Sequence, residues 1–160
     1  MKKILYVFAF MLLTLGAFGQ TTTIYLIRHA EKVDNSKNPD LSKVGLERAE
    51  HWKTILSQVP LKAVYSTDFL RTVQTATPTA TSKNLEIIKY DPKTLDLEQL
   101  KKEHKGQAIL IVGHSNTTPD LVNKIINQKV YAPIDDTVFG NLYIITISGN
   151  ELSHQLLQEL

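Results

Sequence analysis

The chain contains no cysteine. That excludes a disulfide scaffold, a thiolate zinc site, a cysteine nucleophile and a lipoprotein-type lipid attachment. It also lacks a strong charge of either sign: 18 Lys and Arg stand against 16 Asp and Glu, a formal charge of +2. No stripe of basic residues is present, so a nucleic-acid partner is not expected. Internal repeats, low-complexity stretches and linkers are missing too. What remains is 160 residues, 42% hydrophobic and 21% charged, the composition of one ordinary globular domain.

The longest apolar run lies at the start. Met1-Lys2-Lys3 is basic, Ile4 to Phe18 is apolar apart from Thr14 and Gly16, and Ala17-Phe18-Gly19 supplies small residues. This is the three-part pattern of a secretory signal, and the run is short for a membrane span of about 20 residues. The expected division is therefore a signal peptide at 1–19 and one domain at 20–160. A retained membrane anchor is the alternative. An exported, periplasmic or extracellular protein follows, without stable membrane association once the signal is cleaved. Residues 1–19 hold two lysines and no acid, so the remaining 141 residues are formally neutral.

Past the signal, strand and helix patterns alternate. Ile24 to Ile27, Ala63 to Tyr65 and Leu85 to Ile88 read as short strands. Ala108 to Val112 has no polar alternation and reads as a strand covered on both faces. Leu142 to Ile147 is a further strand, and Gly149-Asn150 turns into a last one at 151–157. An amphipathic helix is expected over about 42–58, with Leu41, Val44, Ala49, Trp52, Ile55, Leu56 and Val59 facing inward. Ser42 is placed to cap it and Pro60 to stop it. A second helix over about 68–82 puts Phe69, Val73, Ala76 and Ala80 on one face. Leu95, Leu97 and Leu100 suggest a short helix. A last one over about 118–128 has Thr118 as N-cap and Pro119 at its first position. The pattern is α/β: a mostly parallel sheet between helices, closed by an antiparallel C-terminal hairpin.

In such sheets ligands sit beyond the carboxyl ends of the strands. There the chain carries Arg28-His29-Ala30-Glu31, then Ser66-Thr67-Asp68 with Arg71, then Gly113-His114-Ser115-Asn116. Arginine grips phosphate or carboxylate oxygens with two donors at once. A neutral imidazole can attack phosphorus. Four basic groups gathered at one edge repel each other unless an anion lies between them, and charge spread over a transferring phosphoryl group suits such a cluster without a metal.

These residues carry a resemblance. Leu26-Ile27-Arg28-His29-Ala30-Glu31, Leu41-Ser42 with Gly45, Tyr65-Ser66-Thr67-Asp68 with Arg71-Thr72 and Gln74-Thr75-Ala76, and Val112-Gly113-His114-Ser115 follow one another as in the histidine phosphatase superfamily, the phosphoglycerate-mutase-like proteins. The match runs from about Ile24 to Ile147. It implies a three-layer α/β/α sandwich, with His29 as a nucleophile that becomes phosphohistidine. Arg28, Arg71 and His114 would hold the phosphoryl group of a small phosphorylated substrate, with no cofactor and no metal. The short chain resembles the compact members, which leaves little room for a mutase's insertions.

An alkyl phosphate needs a proton for its leaving oxygen. In one branch of the superfamily an acid follows the second histidine, where this chain has Ser115-Asn116. Asp91, Glu31, Asp135 and Asp136 are the candidates here. Glu31 reads first as a structural partner that orients Arg28 or a backbone turn, and Asn116 as a loop organiser or a substrate contact. Phosphoramidates need no strong acid, so both monoesters and phosphoramidates stay open. A catalytically weak phosphate-binding protein of the same fold is the alternative. His51 is expected at the surface, Trp52 in the core, and His104 and His154 outside the chemistry. The substrate's identity and the oligomeric state are not legible.

Overall fold

The computed structural model describes residues 20–159; the expected signal at 1–19 lies outside them. In chain order the elements are β1 (Thr21–Arg28), α1 (Lys43–Ile55), β2 (Leu61–Ser66), α2 (Leu70–Ser82), β3 (Ile87–Lys89) and α3 (Leu97–Glu103), then β4 (Ala108–Gly113), α4 (Thr117–Ile126), β5 (Asn141–Ser148) and β6 (Glu151–Gln158). One sheet has the order β3-β2-β4-β1-β5-β6. β1 to β4 are parallel, while β5 and β6 add an antiparallel margin. The all-apolar β4 sits between β2 and β1, and Ile109 to Gly113 are buried.

The strands' alternating side chains divide the core in two. Ile24, Leu26, Tyr65, Ile109 and Ile111 pack with Leu100 of α3 and Leu121, Val122 and Ile125 of α4. Ile27, Val64, Leu110 and Val112 pack on the other face with Trp52 of α1 and Ala76 and Ala80 of α2. This is a three-layer α/β/α sandwich, and each fully buried Ile or Leu contributes about 1.5–3 kcal/mol.

Several local expectations need correction. α1 is capped by Ser42, whose Oγ accepts from the Gly45 N–H at 3.1 Å, but the helix ends at Ile55, before Pro60. Its Val44 and Ile55 are exposed, because only Gly45, Ala49 and Trp52 turn to the sheet. α2 buries Thr72, Thr75 and Thr79 beside its alanines, and it runs through Pro78. Phe69 precedes that helix at a partly exposed position instead of lining its inner face. β3 is three residues long and begins at Ile87, two residues later than expected. α4 starts at Thr117, so Thr118 is not its cap; the Thr118 hydroxyl is buried and donates to the Ile27 carbonyl at 3.3 Å. The Gly149-Asn150 turn is as expected, with Gly149 at φ +59°, a left-handed conformation that glycine adopts freely.

Candidate active site

The parallel register aligns the strand ends. Arg28 pairs with Gly113 and Ser66 with Val112, so the segments that follow β1, β2 and β4 meet at one edge. A pocket of about 660 Å³ opens there, lined by Arg28, His29, Arg71 and His114 together. The four residues singled out from three distant segments are thus in one place.

His29 is 4% exposed. Its Nδ1 lies 2.8 Å from the Ala30 carbonyl oxygen, which can only accept. Nδ1 must therefore carry the proton, and in the neutral ring Nε2 keeps its lone pair. Burial pushes the imidazole down to about 3, reinforced by the nearby charges of Arg28, His114 and Arg71 and opposed by the Ala30 bond. His29 is accordingly a neutral base with one bare nitrogen at neutral pH.

The His114 ring stands 5.5 Å from that of His29, inclined at 66°. Arg71 Nη2 donates to His114 Nδ1 at 3.3 Å, and the Phe69 ring lies 4.5 Å from the Arg71 guanidinium carbon. A guanidinium has no acceptor, so Nδ1 is bare and the opposite nitrogen carries the proton. That Nε2–H donates to Thr67 Oγ1 at 2.9 Å. Burial, then Arg71 and Arg28, lower His114 to about 4.

Arg28 is 3% exposed and differently occupied than expected. Its Nη1 faces the backbone carbonyls of Asp135, Asp136 and Val138 at 2.8–3.2 Å, and its guanidinium lies 4.1 Å from the centre of the Phe139 ring. It anchors the 135–139 loop against the pocket. Its Nε is buried and finds no hydrogen-bond partner in the protein. The rest of the head fixes the loop.

The acid candidates separate. Glu31 is away from the pocket lining and is spent on Arg48, whose Nε and Nη2 donate to its carboxylate at 2.8–3.0 Å. Arg48 also reaches Glu159, as does His51. Asp135 lies outside the lining, and the Thr137 hydroxyl and N–H hold its carboxyl below its ordinary value. Asp91 and Asp136 do line the pocket, both exposed; Asp91 accepts from the Lys93 N–H, and Asp136 lies 3.4 Å from Arg28. Asp68 lines it as well, paired with Lys89 at 2.7 Å. Asn116 is exposed at the rim. Trp52 is core and His51 half exposed, while His104 and His154 bond to Tyr65 and Tyr131 and do not line the pocket.

Three residues of the pocket region carried no role in the sequence. Thr67 was legible only as a neighbour of Arg71, and it proves to hold His114. Tyr90 lines the wall, its phenol pushed far up by burial and thus neutral. Phe139 packs on both Arg28 and His29. Among the described residues, no group of three or more His, Cys, Asp or Glu is arranged to hold a metal ion.

The fold and site define a class: an α/β sandwich with paired histidines and arginines at the strand ends. The sequence profile of the histidine phosphatase superfamily (branch 1) matches residues 24–92, which include Arg28, His29 and Arg71. A 75-residue stretch is 39% identical to phosphoserine phosphatase 1 of Hydrogenobacter thermophilus, spanning 42% of this chain and 36% of that protein. Among solved structures, Bacillus stearothermophilus YhfR superposes with a TM-score of 0.70 at 16% identity, covering 87% of this chain and 98% of that one. The protein histidine phosphatase SixA, complexed with tungstate, gives 0.68 at 16% identity, covering 85% and 96%. The chain is thus similar to the histidine phosphatase superfamily in sequence over residues 24–92, and it shares the fold of the solved structures over most of its length.

Proposed function

We propose that the protein is a metal-independent phosphohydrolase acting on a small phosphorylated substrate through a phosphohistidine at His29. The observation that carries this reading is the Nδ1–Ala30 bond, which leaves Nε2 bare inside a pocket of positive groups. Nε2 attacks phosphorus, forming the P–N bond while the bond to the leaving group breaks. Arg71 and His114, which line the pocket beside His29, are assigned to the transferring oxygens, and Arg28 contributes its charge. Water then attacks phospho-His29, releasing phosphate and restoring the neutral ring.

The carboxylates of the lining are exposed, and none is buried beside His29. A leaving group therefore departs with help from a rim carboxyl such as Asp91, or needs little help. Phosphate monoesters and phosphoramidates both fit, and the names of the relatives cover an ester and a phosphohistidine. The same exposed acids favour a second reading, a binding protein with weak or no turnover. Export remains part of the proposal, supported by the 1–19 pattern alone.

The test is a panel of p-nitrophenyl phosphate, phosphoserine, phosphohistidine and phospholysine with wild type and His29→Ala. Turnover is expected from wild type only, insensitive to chelator and inhibited by vanadate. Full activity in His29→Ala rejects the mechanism; vanadate binding without hydrolysis of any panel member favours the binding protein.

A further inference from the structure

The turn that orients His29 is itself held by a residue of another element. Thr75 lies one helical turn beyond Arg71 on α2 and is fully buried. Its hydroxyl donates to the Arg71 carbonyl at 2.7 Å, a common bond for a threonine inside a helix. Unlike a threonine that makes only this bond, Thr75 Oγ1 also accepts the Ala30 N–H at 2.9 Å. Thr77 on the same helix donates back to Val73 and bonds to nothing across the fold, while the buried Thr79 hydroxyl has no partner at all.

Ala30 is the residue whose carbonyl holds His29 Nδ1. It is fully buried, so its N–H has no water to turn to if Thr75 is lost. The rest of the turn is tied down independently: His29 N–H donates to the Gly113 carbonyl and Ser42 N–H to the Glu31 carbonyl. Thr75 thus fastens the one residue between them, and does so from the helix that carries Arg71.

We propose that Thr75 is a positioning residue for His29: by pinning Ala30 it keeps the carbonyl on Nδ1 and so keeps Nε2 the free nitrogen. The inference rests on His29 being the nucleophile. Removing the hydroxyl frees the Ala30 backbone to rotate, and the ring then samples the tautomer with a protonated Nε2, which cannot attack. The anion-binding groups Arg71 and His114 stay in place.

The experiment compares wild type, Thr75→Val, Thr75→Ser and His29→Ala as full chains on p-nitrophenyl phosphate, with vanadate as the probe of anion binding. Thr75→Val is expected to lower kcat roughly 10–100-fold, the range of lost orienting bonds, with vanadate inhibition unchanged. Thr75→Ser, which keeps the hydroxyl, restores kcat. Unchanged kcat in Thr75→Val overturns the proposal. So does a joint loss of kcat, vanadate affinity and melting temperature that serine does not rescue, since Thr75 is then only a packing residue of α2. Should Thr75→Val not fold, nitrogen NMR of isotopically labelled histidine decides on wild type and Thr75→Ser: both are expected to show His29 protonated on Nδ1, and protonation on Nε2 overturns the proposal. Turnover surviving in His29→Ala rejects the nucleophile itself, separately from Thr75.

Discussion

The two neutral imidazoles make the folded state sensitive to acid well above the range where carboxylates titrate. His29 is held down to about 3 and His114 to about 4, both chiefly by burial, against an ordinary value of 6.5. Below pH 6.5 the unfolded chain binds protons on both rings while the folded chain does not. Stability from this source is therefore whole above that pH and drains as pH falls toward 4 and then 3. At about 1.4 kcal/mol per pKa unit, each ring costs roughly 2 kcal/mol at pH 5. Urea unfolding at pH 7.5 and pH 5 measures the difference. His29→Asn and His114→Gln, which cannot titrate, should each lose about half of the wild-type pH dependence, whatever their stability at pH 7.5. Vanadate in the pocket should reduce the loss, because an anion between the rings favours their charged forms. Variants that keep the full wild-type slope would refute the reasoning, since the buried rings would then not be its source.

Two further expectations concern the scaffold under His29. A Cβ at Gly45 would lie 2.2 Å from the Glu31 carbonyl oxygen, so Gly45→Ala must displace that turn; about 1–3 kcal/mol of stability should be lost in urea, with turnover falling too. Arg48→Met strands Glu31, about one-fifth exposed, and leaves Glu159 with His51 alone; it should lower stability by about 1–3 kcal/mol, read as a fall in melting temperature.

The layers of the fold were legible because they follow from burial alone. The unbroken apolar run of β4 read as a central strand, and Ser42 marked the start of α1. The inner face of α1 was misread because Val44 and Ile55 share helical spacing with Ala49 and Trp52, yet the sheet reaches only the narrower stripe. α2 was harder still: its buried face is largely threonine, which hydropathy treats as polar although Thr72 and Thr75 satisfy their hydroxyls inside the protein. At the site, residue type and place after the strands brought Arg28, His29, Arg71 and His114 together. What no local pattern could convey is that Arg28 is shared with carbonyls more than 100 residues away, or that Glu31 is claimed by Arg48. Those assignments depend on which loops the folded sheet brings near.

The central claim is tested most directly by the covalent intermediate. Phosphohistidine survives alkali, so the protein is mixed with p-nitrophenyl phosphate, quenched in base within a turnover, digested and sequenced by mass spectrometry. The account predicts one phosphoryl group per chain, on His29 and attached through Nε2. A phosphoryl group on His114 or any other residue, or one that persists in His29→Ala, contradicts it.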